Sequence, residues 1–157
     1  MKRVYLEVVS LVERLHRQFL EVVRTEIDRM GIRDCNNVQA MILYHIGADE
    51  LTVGELTQRG YYLGSNVSYN LKKLIENGYI HQARSPHDRR SVRIRLTPKG
   101  MELHNRLDVV FQQHTGHLEH TSLKESELMG VAATLRRLEQ FWDNRLGAGI
   151  YSLTSAA

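Results

Sequence analysis

The chain has 157 residues, of which 42% are hydrophobic, which is enough for one domain with its own core. Its 21 Lys and Arg against 18 Asp and Glu leave a formal charge of only +3. No apolar run approaches the roughly twenty residues of a spanning helix, Glu7 and Glu13 interrupt any signal-peptide core, and the single Cys35 excludes an internal disulfide; the expected setting is the reducing cytoplasm, with no membrane partner.

From Val4 to about Met30 the sequence reads as one long helix. Val4, Val8, Leu11, Leu15, Phe19, Val22 and Ile27 form one apolar stripe, and Val9, Val12 and Val23 lie beside it. One small domain covers only one stripe, so the second implies packing against another chain, and a homodimer is expected. Gly31 stops this helix. A second helix starts near Asn36, with Gln39 as its capping-box partner, and runs through Ala40, Met41, Leu43, Tyr44 and Ile46 to Gly47.

Thr52-x-x-Glu55 is another capping box, which starts a third helix at about Val53. Gly60 and Gly64 bracket a turn of helix-turn-helix length, and the next helix begins near Ser65. Within it Val67, Leu71, Leu74 and Ile75 form a stripe to be buried. The outward face then carries Ser65, Asn66, Tyr69, Lys72, Lys73 and Glu76, with Ser68 and Asn70 at its margins. Small polar groups precede lysines, as expected of a helix whose N-terminal half reads base edges and whose later charges hold phosphates. An ordinary solvated face is the alternative for this helix taken alone.

Gly78 ends that helix, and Tyr79 to Arg84 and Val92 to Leu96 alternate as two strands joined by a tip, Ser85 to Ser91. The tip carries Arg89 and Arg90, planar and always charged, suited to the narrow negative minor groove, with Asp88 as a brace for one guanidinium; a solubilising loop tip is the alternative. From Lys72 to Lys99 eight Lys and Arg stand against Glu76 and Asp88, so this segment carries +6 and the remainder carries −3. Such a localised basic region points to a polyanionic partner.

The run Asp88-Arg89-Arg90-Ser91-Val92-Arg93-Ile94-Arg95-Leu96-Thr97-Pro98-Lys99-Gly100 resembles the wing signature of the MarR family of bacterial transcriptional regulators, and the helices before it resemble that family's DNA-binding lobe. The likeness covers nearly the whole chain in architecture but only this central third in specific residues. It implies that Arg90 enters the minor groove with Asp88 orienting it, and that the long terminal helices make a homodimer. It also implies that effectors bind in a crevice between the lobes; Leu15, Phe19, Cys35, Met41, Tyr44 and Leu107 are its expected walls, and each would serve equally well as plain core. Tyr61 to Asn66 depart from the family's usual entry into the recognition helix.

After the wing, Thr97-Pro98 opens a helix with Leu103, Leu107, Val110, Phe111 and Leu118 as its stripe. Ser122-x-x-Glu125 is read as the capping box of the last helix, where Leu128, Val131, Leu135, Leu138 and Trp142 form a 3-4 seam. His114, His117 and His120 do not converge as zinc ligands should, and His114 continues the apolar stripe, so no metal is expected. Cys35 precedes the second helix, where backbone donors could activate a thiolate; a buried apolar role is the alternative.

The expected fold is mainly α with a small β-hairpin wing: a winged helix-turn-helix with long terminal dimerisation helices. Residues 1–146 form a single unit, with a dimerisation lobe from about 1–33 and 101–146, a DNA-binding lobe from about 34–100, and a flexible tail at 147–157. The expected function is sequence-specific binding of a pseudo-palindromic duplex by a homodimer, modulated by a small molecule or oxidant that changes recognition-helix spacing. A winged helix can instead be a protein-interaction module, with Lys72, Lys73 and Arg90 meeting an acidic partner. Nothing at a usable spacing suggests an enzyme or calls for a cofactor.

Overall fold

The computed structural model describes the backbone of residues 1–60, 64–84 and 92–154, and the side chains of these except 60, 64–65 and 147–154. The elements in order are α1 (Lys2–Arg29), α2 (Asn37–Ile46), β1 (Leu51–Thr52), α3 (Val53–Gly60), α4 (Gly64–Glu76), β2 (Ile80–Arg84), β3 (Val92–Leu96), α5 (Pro98–Leu118) and α6 (Glu125–Thr154). This is the winged helix-turn-helix between long helices that the periodicities predict. The chain divides into two compact units, Met1–Phe111 and Gln112–Ala157.

Local chemistry sets the helix ends. At α2 both arms of the capping box form, the Asn36 side chain accepting from the Gln39 backbone N–H at 2.9 Å and Gln39 Oε1 accepting from the Asn36 N–H at 3.0 Å. At α3 the Thr52 N–H donates to Glu55 Oε2 and the Glu55 N–H to Thr52 Oγ1. α4 ends in a Schellman motif: Gly78 takes φ +75°, its N–H donates to the Ile75 carbonyl, and the Tyr79 N–H donates to the Leu74 carbonyl.

One core binds the first unit. It joins Val23 and Ile27 of α1, Ile42, Leu43 and Ile46 of α2, Leu56 of α3, Val67, Leu71 and Leu74 of α4, Ile80 and Ile94 of the sheet, and Leu103 and Leu107 of α5. Three features differ from expectation. Leu51–Thr52 adds a third strand, pairing antiparallel with Ile94 and Arg93, so the sheet order is β1-β3-β2; two residues are too short to leave an alternating pattern. α6 begins at Glu125, not after Ser122, and Glu127 caps it by accepting from the Lys124 N–H at 2.8 Å. Lysine at the N-cap has no acceptor, so only half of a capping box is made there. The helical backbone of α6 also includes residues 147–154, which the sequence reading assigned to the tail.

α5 starts where Thr97 Oγ1 accepts from the Gly100 N–H at 3.1 Å and itself donates to the Gly78 carbonyl at 2.7 Å. Gly100 is buried, and a Cβ placed there would overlap the Tyr79 carbonyl. Gly116, farther along α5, has open space around it. Gly100→Ala should therefore destabilise by about 1–3 kcal/mol through overpacking. Gly116→Ala should be neutral or stabilise by up to about 1 kcal/mol through helix propensity. Urea unfolding of both variants checks the pair.

Candidate nucleic-acid interface

α4 is two-sided. Val67, Leu71 and Leu74 are buried and Ile75 half-buried, which leaves Asn66, Ser68, Tyr69, Lys72 and Glu76 exposed on the other face. Tyr69 is 62% exposed, far more than an aromatic ring serving the core would be. The Asn70 amide is turned back onto the Asn66 carbonyl at 2.8 Å, so it serves its own helix. The two lysines are not equivalent. Lys73 Nζ lies 2.9 Å from Glu76 Oε2, whereas Lys72 Nζ lies 3.9 Å from Glu76 Oε1 and its side chain is 75% exposed. The hydrogen bond to Glu76 raises the Lys73 pKa, and the same bond lowers that of Glu76. A phosphate must compete for Lys73 but not, to the same degree, for Lys72.

The wing stands beside this face. β2 and β3 pair from Ile80↔Leu96 to Arg84↔Val92, so Ile80 and Ile94 face the core while His81 and Arg95 oppose each other on the outer side. Arg93 is held by Glu50, donating to its carboxylate at 2.9 Å and to its carbonyl at 3.0 Å. A cleft of about 490 Å³ runs between the helix and the wing, lined by Ser68, Leu71, Lys72, Ile75 and Glu76 of α4, Gln82 and Val92 of the strands, and Val53. Asp88, Arg89 and Arg90 of the tip, the side chain of Ser65 and the turn at 61–63 lie outside the described residues. Gln82 lines the same cleft as Lys72, a placement that depends on strand register and leaves no mark in the sequence.

The expected effector residues separate. Phe19 stacks on Phe111 with ring centres 5.7 Å apart, and Tyr44 meets Phe111 edge-on at 4.9 Å and stacks on His104 at 5.0 Å. The Tyr44 hydroxyl donates to Asp108 at 3.1 Å; burial and this neighbour raise its pKa. Leu107 is fully buried core, Met41 packs against that core, and Leu15 is exposed. His104, Asp108 and Phe111 were missed as members of this cluster, although Asp108 and Phe111 stand four and seven residues after His104, on one helix face.

Cys35 is 6% exposed and sits in the core. Burial, followed by the neighbouring Asp34 charge, pushes its thiol up to about 12, against a smaller opposing effect of Lys99. The N-terminal donors of α2 are engaged by Asn36 and Asn37 side chains instead. This is the environment of a protonated thiol, not a reactive thiolate. Among the described residues no three His, Cys, Asp or Glu side chains converge to hold a metal, and no helix is long and apolar enough to cross a membrane.

Residues 36–100 match the family model of a winged helix DNA-binding domain. The chain is 40% identical over 146 residues, 93% of its length and 75% of the relative's, to the exopolysaccharide II synthesis transcriptional activator ExpG of Rhizobium meliloti. The structure resembles Streptococcus pneumoniae FabT in complex with DNA, at 25% identity and a TM-score of 0.64, covering 89% of this chain and 98% of that one. It also shares its fold with the reduced form of MarR from E. coli, at 18% identity and a TM-score of 0.64, covering 82% and 93%.

The raised Cys35 thiol yields a signed prediction. Its native pKa lies above its ordinary 9.0, so between that value and about 12 the native state holds a proton that the unfolded state has lost. Stability should decline as pH rises through this window, and the raised Tyr44 and Tyr79 hydroxyls add to the decline at higher pH. At pH 8 a chromogenic disulfide should label Cys35 much more slowly in the native protein than in denaturant. Equal rates would show an accessible thiol.

Proposed function

Because the chain belongs to the MarR family of winged-helix, DNA-binding transcriptional regulators, we propose that it acts as a cytoplasmic homodimer on a pseudo-palindromic duplex. The two α4 helices read major grooves about one turn, roughly 34 Å, apart. The observation that supports this most directly is the exposed Asn66–Ser68–Tyr69–Lys72 face of α4, backed by a buried apolar stripe and bordered by the wing cleft.

Ser65, Asn66, Ser68 and Tyr69 contact base edges and the adjoining sugar-phosphate, with Asn70 supporting Asn66 from within the helix. Lys72 holds a phosphate, and Lys73 does so after exchanging Glu76 for it. At the wing tip Arg90 enters the minor groove, Asp88 orients it, and Arg89 adds positive potential. The DNA-binding lobe is then about 34–100, while subunit contacts draw on about 1–33 and 101–146.

Two observations favour a second copy as the partner. α1 exposes Leu6, Leu11, Leu15, Phe19 and Val22, and α6 separately exposes Leu128, Met129, Val131 and Leu135. Single exposed apolar residues are ordinary, but continuous stripes on long helices signal an interface. We place the effector, aromatic or apolar, beside the Phe19–Tyr44–His104–Phe111 cluster, where the rings and the Tyr44–Asp108 pair would offer both apolar and polar contacts. The output we favour is activation, as in the 40%-identical relative.

Sedimentation equilibrium should give twice the 18.2 kDa of one chain. Genome-wide footprinting with purified protein should yield inverted-repeat sites, and affinity for them should fall steeply as salt rises. Lys72→Ala, which removes one phosphate contact from each subunit, should reduce the salt slope of the dimer by about two and weaken all sequences alike. Arg90→Ala should weaken operator binding strongly while the circular dichroism spectrum stays unchanged. A monomer, a flat salt response or an unaffected Arg90→Ala variant would each refute its part of this scheme.

A further inference from the structure

Several segments distant in sequence meet at the C-terminal end of α4, with one acidic side chain among them. Asp34, in the connection between α1 and α2, accepts from the Tyr79 hydroxyl on Oδ1 at 2.6 Å and from Lys99 Nζ on Oδ2 at 2.6 Å. Its backbone carbonyl accepts from Asn77 Nδ2, also at 2.6 Å. Lys99, in the first turn of α5, closes the ring by donating to the Asn77 carbonyl at 2.9 Å and lying 4.1 Å over the Tyr79 ring centre. Asn77 and Tyr79 flank Gly78, so the ring grips the cap of α4 from both sides.

The ion pair in this ring adds little stability. Asp34 and Lys99 side chains are 46% and 47% exposed, and an ion pair so wetted contributes little to folding. Their effect is geometric. The buried stripe of α4 resists rotation about the helix axis but constrains tilt less well, and the Asp34 ring supplies a second point of attachment. At 1.5 Å per residue, Asn66 and Tyr69 lie roughly 12–17 Å along the axis from Asn77, so a tilt of about four degrees there displaces Asn66 by roughly 1 Å. Hydrogen bonds to base edges fail over such a distance, whereas attraction to phosphates declines gradually.

We propose that Asp34 is a positioning residue for sequence reading: through Tyr79, Asn77 and Lys99 it fixes the tilt of α4 against the α1–α2 connection, and thereby the depth and angle at which Asn66 and Tyr69 meet the bases. The inference rests on α4 being the reading helix, as proposed above. It assigns Asp34 no contact with DNA, and it links the helix that exposes the apolar stripe to the helix that reads.

The test uses the full-length protein, a duplex that the wild type selects from a random-sequence pool, and a scrambled duplex of equal length. Asp34→Ala, Tyr79→Phe, their double variant and Tyr69→Ala are titrated with both duplexes at several salt concentrations, once circular dichroism shows each to be folded. Asp34→Ala should weaken binding to the selected duplex about tenfold, with affinity for the scrambled duplex and the salt slope unchanged. Tyr79→Phe, which keeps the buried ring, should act in the same direction and add nothing in the Asp34→Ala background. Equal losses on both duplexes, or no loss on the selected one, overturn the positioning role; should Asp34→Ala not fold, Tyr79→Phe decides by the same criterion. Tyr69→Ala distinguishes this from the premise: if it leaves discrimination intact, Tyr69 does not read, and both its assigned base contact and the positioning role stated through it fail. If it abolishes discrimination while Asp34→Ala does not, only the positioning role fails.

Discussion

The burial of one side of α4 constrains everything else at the interface. Val67, Leu71 and Leu74 enter a core shared with α2, the sheet and α5, and each side chain so removed from water favours the native arrangement by about 1.5–3 kcal/mol. Rotating α4 by half a turn would return all three to solvent and force Asn66, Tyr69 and Lys72 into an apolar interior with no partners for their polar groups. The exposed face is therefore not a surface that happens to be polar. It is the side that core packing leaves available, and in an elongated groove such as that of a duplex it is the side that can enter.

Around that helix the structure separates two kinds of attachment. Apolar packing sets which residues point outward, and polar contacts at the ends set where the helix begins and stops. The Schellman cap at Gly78, the threonine cap at Thr97 and the ring around Asp34 converge on the few residues between α4 and α5. Gly100 belongs to the same junction, because only a residue without a Cβ lets the first turn of α5 approach the Tyr79 carbonyl so closely. A lobe that must present side chains to base edges needs such over-determination, since direct readout depends on hydrogen-bond distances while phosphate attraction does not.

The two kinds of exposed surface have opposite characters. The face of α4 is polar and its lysines differ in availability, Lys73 engaged by Glu76 and Lys72 open to an anion. The long helices α1 and α6 instead expose apolar side chains. The ring cluster of Phe19, Tyr44, His104 and Phe111 ties α1, α2 and α5 together within the first unit. An effector seated beside it would act on the same elements whose connection carries Asp34.

Much of this was legible from residue order alone, because the relevant signals are local. The stripes of α1 and α4, the capping boxes at Asn36 and Thr52, the glycine stop at Gly78 and the alternation of the two wing strands each depend on neighbours within one or two turns. For that reason residue order sufficed for the sequence of helices and wing strands and for the exposure of Asn66, Tyr69 and Lys72 on α4. Tertiary structure decided what depends on distant partners. It buried Cys35 beside Asp34 and so kept its thiol protonated, gave Lys73 but not Lys72 a close carboxylate, and paired the two-residue strand at Leu51 with Ile94. It also brought Asp34, Tyr79 and Lys99 together across up to 65 positions. Such contacts carry no periodicity, since their cause is the packing of whole elements and not the spacing of residues along any one of them.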